Sequence, residues 1–265
     1  MKGSRAAGLA PCSALLPDRE RGYTRRQAAK PSNFEKMRPS PPRAVGRIAA
    51  HPPHAAPGQA IGLLGGSFNP PHIAHRMISD LVLRRLGLAK VWWIVSPGNP
   101  LKRRADTAPL AERLALCRDI AKNPHIVVTD FEADLGSPYT ASTLAFLKAR
   151  TPLVRYVWIM GADNLASIER WRCWREIFVM VPVAVVDRPG WRLKALASKA
   201  ARAFADSRVP EAEARGLANR PPPAWTFLTG PLSRVSSTAL RRAKRQSASP
   251  RAAGVAARPR RAERR

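Results

Sequence analysis

Cysteine, acidic side chains and long apolar runs are what this 265-residue sequence has least of. Its three cysteines, Cys12, Cys117 and Cys173, lie far apart, with no C-x-x-C pair and no histidine at metal-ligand spacing. That excludes a disulfide framework and a sequence-local zinc site. An odd, scattered set reads instead as ordinary thiols in a reducing compartment. No apolar run approaches the roughly 18–20 residues that span a bilayer, so no membrane helix is expected. Lys2 and Arg5 precede an apolar stretch, but Gly8 and Pro11 interrupt it and no small-residue cleavage site follows. A secretory leader is therefore not read here, and the expected location is the cytoplasm.

The shortage of acid is uneven. Asp and Glu total 18 against 46 Lys and Arg, a formal net charge of +28. More than half of that excess falls in residues 1–58, rich in proline and arginine, and in the arginine-rich residues 241–265. Neither end has the apolar surface to offset the entropy of ordering a chain. Residues 1–58 are expected to be a disordered extension, 59–245 a folded domain and 246–265 a disordered basic tail. The tails would suit non-specific contact with nucleic acid, but compositional bias explains them as well. The sequence leaves homo-oligomerisation open.

Within the middle stretch, short apolar runs alternate with segments of helical period. Gln59–Leu64, Val91–Val95, Ile126–Val128, Val154–Met160, Val181–Val186 and Trp225–Leu228 read as strands. Helices are expected over 73–86, Leu110–Ala121, Thr140–Lys148, Ile168–Phe178, Leu193–Phe204 and Ser236–Arg245. Strands apolar on both faces, alternating with helices, specify an α/β doubly wound parallel sheet. Ligands of such a sheet bind beyond the carboxyl ends of its strands, where the polar motifs of this chain fall.

The densest motif, Gly65-Gly66-Ser67-Phe68-Asn69-Pro70-Pro71-His72-Ile73-Ala74-His75, joins the first strand to the first helix. Backbone amides and the helix dipole there favour an anion, and glycine lets a phosphate approach. His72 and His75, three apart, share one face of the first turn and could hydrogen-bond a triphosphate. The plainer readings are two surface histidines or a zinc pair, the latter lacking a third ligand nearby. A second motif, Val235-Ser236-Ser237-Thr238-Ala239-Leu240-Arg241, sets three hydroxyls at a helix start. Arg241 returns to the face of Thr238 and offers a forked, charge-assisted donor to phosphate. Alone, this segment would be an ordinary helix cap.

Together the two segments resemble the H-x-G-H and I-S-S-T-x-x-R motifs of the nucleotidyltransferase superfamily, with Ala74 for glycine, Asn69 where many relatives carry aspartate and Val235 for isoleucine. The segments between them, Gly136-Ser137-Pro138-Tyr139-Thr140 and Met160-Gly161-Ala162-Asp163 with Trp171 eight residues on, are similar to bacterial nicotinate-nucleotide adenylyltransferases. The resemblance covers about residues 60–242 and implies a Rossmann-like nucleotidyltransferase fold. It implies AMP transfer from ATP to nicotinate mononucleotide, with Mg2+ bridging the phosphates.

By that resemblance, Gly65, Gly66, Ser67, Phe68, Gly161, Asp163, Ser236, Ser237 and Thr238 would bind ATP. His72 and His75 would bear on the α-phosphate, Arg241 would hold the outer phosphates, and Lys102 would orient the attacking phosphate. Tyr139 and Thr140 would present donors to the nicotinate carboxylate while Trp171 stacks on the cationic ring, which suits an aromatic face. Lys102 read alone is equally an exposed loop lysine, and Trp174 reads as core packing. Two rivals stay open at this point: another small-molecule adenylyltransferase, such as one acting on phosphopantetheine, and a non-catalytic RNA-binding protein.

Overall fold

The computed structural model describes residues 50–98, 107–230, 237, 240 and 241. Its strands are β1 (Ala60–Gly66), β2 (Lys90–Val95), β3 (Ile126–Thr129), β4 (Arg155–Gly161), β5 (Val183–Val186), β6 (Arg208–Val209) and β7 (Trp225–Leu228). They pair in the order β3-β2-β1-β4-β5-β7-β6, every pairing parallel. The helices are α1 (Ile73–Leu86), α2 (Leu110–Ala121), α3 (Thr140–Arg150), α4 (Ala162–Leu165), α5 (Trp174–Met180), α6 (Arg192–Leu196) and α7 (Lys199–Ala203).

Because side chains alternate across a strand, adjacent residues feed two separate cores. Leu63, Trp92, Ile94, Trp158 and Val185 bury on one face against Leu144, Leu147, Ile177 and Phe178 of α3 and α5. Leu64, Trp93, Val95, Ile159 and Val186 bury on the other against Val82, Leu86, Leu114 and Cys117 of α1 and α2. Each such side chain contributes roughly 1.5–3 kcal/mol of transfer free energy, so both faces must be covered. This is the doubly wound sheet the sequence specifies. The packed unit takes in Ala50, which is fully buried, and the Gly58 N–H donates to the Leu153 carbonyl at 2.8 Å.

From β1 the chain runs outward through β2 to β3, then returns to lay β4 on the other side of β1. That reversal opens a crevice at the carboxyl ends of β1 and β4. Residues just past each strand end, on loops or on first helical turns, are presented into it.

Several local expectations fail for identifiable reasons. The single helix expected over Ile168–Phe178 is broken into a 3-10 turn, Ile168–Arg170, and α5. Cys173 between them has φ 55° and ψ 36°, a left-handed conformation that no α-helix can contain. Leu193–Phe204 is likewise two helices, the second started by Ser198, whose Oγ accepts the Ala201 N–H at 3.2 Å. A 3-10 turn at Phe131–Leu135 and the two-residue edge strand β6 had no periodic signal. Cys117 is a buried free thiol, as the sequence reading expects of it. Of the helix expected over Ser236–Arg245, only Ser237, Leu240 and Arg241 are described, and all three are helical. No helix among the described residues is long and apolar enough to cross a membrane.

Candidate active site

The crevice holds a cavity of about 1350 Å³. Its lining brings together residues far apart in the chain: Gly65–Phe68, His72 and His75 after β1, Tyr139 and Thr140 at the start of α3, Gly161 and Asp163 after β4, Trp171, and Ser237. The two ends of the folded unit are joined directly. Ser237 Oγ donates to the Pro70 carbonyl at 2.8 Å, and Arg241 donates to the carbonyl of Asn69. Lys102, Ser236 and Thr238 lie outside the described residues.

His72 is the N-cap of α1 and His75 its third residue, and their ring centroids are 3.9 Å apart. The His72 backbone N–H donates to His75 Nδ1 at 3.2 Å. His75 Nδ1 also lies 3.3 Å from the His72 carbonyl, so it accepts from the amide in one neutral tautomer and donates to the carbonyl in the other. His75 also packs on Phe68 at 4.7 Å between ring centroids and edge-on to Trp93 at 6.0 Å. Desolvation there, with smaller effects from His72 and Arg188, brings the His75 pKa down to about 3. Burial, then the positive charge of Arg188, brings His72 down to about 4. Both rings are therefore neutral near pH 7, and His72 Nδ1 is buried with no hydrogen-bond partner. The α1 turn that carries them is held from behind, Trp93 Nε1 donating to Ser79 Oγ at 2.7 Å and Ser79 Oγ to the His75 carbonyl at 2.9 Å.

The glycines serve more than one end. A Cβ on Gly65 would lie 2.4 Å from Cη2 of Trp158, so that glycine admits an indole against the strand. A Cβ on Gly161 would lie 2.4 Å from Asp163 Oδ1, so Gly161 makes room for the carboxylate beside the cavity. Asp163 Oδ2 accepts from Arg188, whereas its Oδ1 is buried without a partner. An acceptor left unpaired at a cavity wall suits a ligand hydroxyl.

At the other end of the cavity, Tyr139 caps α3, whose first turn carries no acid, and Arg172 lies 5.0 Å over the Tyr139 ring. Trp171 meets Trp158 edge-on at 6.5 Å. Trp174, three residues on, turns the opposite way and packs edge-on against Phe178 and Phe204 in the core.

Four residues, three in the cavity wall and one behind it, escaped the sequence reading. Arg188 and Asp187 follow β5, a strand end like those already singled out, so position was the available signal. Buried Glu132 lines the cavity and accepts from Thr143 Oγ1 at 2.6 Å, and desolvation holds its carboxyl above the usual range. Arg113, on the face of α2, reads in sequence as an ordinary surface arginine and is 1% exposed. No local pattern could have shown either burial.

A model of the cytidylyltransferase-like family matches residues 63–243. A probable nicotinate-nucleotide adenylyltransferase of Rhizobium meliloti is 57% identical over 185 residues, covering 70% of this chain and 98% of that protein. A probable nicotinate-nucleotide adenylyltransferase of Mesorhizobium japonicum is 53% identical over 190 residues, covering 72% and 97%. The nicotinic acid mononucleotide adenylyltransferase of Plasmodium falciparum, solved in complex with NaAD, superposes with a TM-score of 0.54 at 16% identity, covering 69% of this chain and 83% of that one. That likeness bears on the fold.

Proposed function

The chain belongs to the cytidylyltransferase-like family and, within it, to the nicotinate-nucleotide adenylyltransferases, and from that premise we propose how its own residues carry the reaction. The enzyme transfers AMP from ATP to nicotinate mononucleotide, giving nicotinate adenine dinucleotide and pyrophosphate, a step of NAD biosynthesis. The observation that carries the assignment of residues is the meeting of the two anion-binding motifs, with Ser237 and Arg241 hydrogen-bonded to the loop that leads into the His72–His75 turn.

The mononucleotide phosphate attacks the α-phosphorus of ATP in line, and the protein's task is positioning and charge stabilisation. His75, neutral, donates from Nε2 to an α-phosphate oxygen in the tautomer whose Nδ1 accepts from the His72 amide. His72 stands beside it with an unpaired nitrogen. The backbone of Gly65, Gly66, Ser67 and Phe68, with Ser236, Ser237, Thr238 and Arg241, holds the outer phosphates. Asp163 takes ribose hydroxyls through its unpaired Oδ1, and Gly161 leaves room for it. Lys102 orients the attacking phosphate. Tyr139 and Thr140 receive the nicotinate carboxylate at the start of α3, and Trp171 stacks on the pyridine.

Among the described residues no group of three His, Cys, Asp or Glu could cage a metal ion. Mg2+ bridging the phosphates of ATP would supply charge neutralisation there, with the phosphates themselves giving most of its ligands. A cytoplasmic location accords with the use of ATP, and the basic tails would meet nucleic acid only non-specifically. Incubation with nicotinate mononucleotide, ATP and magnesium should yield the adenylylated dinucleotide and pyrophosphate. Turnover of phosphopantetheine in its place would overturn the substrate assignment.

A further inference from the structure

Arg113 is a full positive charge placed where a charge is costly, and what it holds explains the placement. Its side chain is 1% exposed and belongs to α2, behind the phosphate loop rather than on the cavity wall. Nε donates to the Ala108 carbonyl at 2.9 Å. One terminal nitrogen donates to two carbonyls at 2.7 Å each, that of Ser67 just after β1 and that of Ser96 just after β2. Desolvation holds its pKa below the ordinary arginine value, opposed by the neighbouring Cys117. A buried cation is tolerated when charge-assisted hydrogen bonds replace its water.

The three acceptors are the ends of β1 and β2 and the turn before α2. A trans peptide sets its carbonyl and the following N–H on opposite edges of one plane. A Ser67 carbonyl turned back to Arg113 therefore turns the Phe68 N–H towards the cavity. That N–H has no hydrogen-bond partner among the described residues. Phe68 itself has φ 43°, a left-handed conformation that a bulky residue adopts only when its surroundings impose it. Two constraints impose it: the grip on its preceding carbonyl, and the packing of its ring 5.2 Å from Trp93 and 4.7 Å from His75.

We propose that Arg113 is a positioning residue for ATP: its grip on the Ser67 and Ser96 carbonyls aims the phosphate-loop amide at Phe68 and ties the end of β1 to the end of β2. The proposal rests on the adenylyltransferase reading of the cavity. It adds a residue that touches no substrate. A lysine at 113 keeps the charge but, lacking the planar fork, cannot reproduce the set of bonds.

The test is calorimetric titration of ATP, and separately of nicotinate mononucleotide, into the full chain and into Arg113→Lys and Arg113→Met. Both variants are expected to keep the parent's far-UV circular dichroism. ATP affinity should fall at least tenfold in each, with mononucleotide affinity within threefold of the parent. An ATP affinity within threefold of the parent in either folded variant overturns the proposal, as does an equal loss for both ligands. Melting of both variants below the assay temperature also overturns it, because Arg113 would then serve the scaffold and not the site. A parent that binds ATP but forms no dinucleotide faults the adenylyltransferase reading, while its ATP titration still judges Arg113. A parent that binds no ATP overturns both.

Discussion

The two ends of the cavity are built by different means. At the phosphate end a single continuous segment, Gly65 to His75, supplies the loop, the helix start and both imidazoles, and buried side chains hold it from behind: Arg113 on its carbonyls, Trp93 and Ser79 under α1. At the end proposed for the pyridine two separate segments meet, Pro138–Thr140 running into α3 and Arg170–Arg172 running from a 3-10 turn towards α5. The comparison teaches that charge placement needs a rigid backbone, whereas recognition of a flat ring needs only two faces brought to a fixed separation. Triphosphate chemistry depends on fractions of an ångström. Stacking tolerates more, and its energy comes from area and polarisability.

If that division is right, substitutions at the two ends should separate in their effects. The largest effect expected is at His75: His75→Ala should lower kcat by about 10²–10³-fold, in line with loss of a donor to developing charge. A near-normal kcat would remove the pair from the chemistry. Trp171→Ala should raise KM for the mononucleotide by about tenfold, the order of one stacking contact, and leave KM for ATP and the melting temperature nearly unchanged. Equal changes in both KM values would dissolve the distinction between the ends.

A pH titration of folding sharpens the contrast further. The His75 and His72 pKa values, about 3 and about 4, lie below the ordinary 6.5. The unfolded chain therefore binds more protons than the native one between those limits. The stability that the neutral pair contributes is complete above pH 6.5 and is lost as pH falls through 4 and then 3. Urea midpoints of the parent should drop over that window more steeply than those of a His72→Gln, His75→Gln variant. Parallel curves would show that the rings are not desolvated. The smallest effect belongs to neither end: Ser198→Ala, which removes the α7 cap, should cost about 1 kcal/mol in urea unfolding without changing either KM.

Much of the phosphate end was legible because its information is local. Glycines, a proline pair and two histidines three apart lie within eleven residues, and one helix start dictates their geometry. Gly65 has a further role that its sequence did not show, since its missing side chain makes room for Trp158. The pyridine end was legible only through its resemblance to a family. Periodicity carried one helix straight through Cys173, where the chain turns left-handed and sends Trp171 to the cavity and Trp174 to the core. Arg188 and Glu132 went unread because nothing in their neighbours announces that they meet Asp163 and Thr143.

By itself, the sequence determined the alternation of strand and helix, hence the doubly wound parallel sheet. Runs of residues apolar on both faces can be buried only between two layers of helices. It also pointed to the first strand end as a place suited to an anion, since glycine and helix-start chemistry act within one turn of chain. Only the tertiary structure decided that Ser237 and Arg241 close on the same loop, that a buried arginine on α2 grips two strand ends, and that both imidazoles are neutral. Those outcomes depend on desolvation and on contacts between residues tens of positions apart. A linear pattern encodes neither, and both appear only when the strands are set side by side.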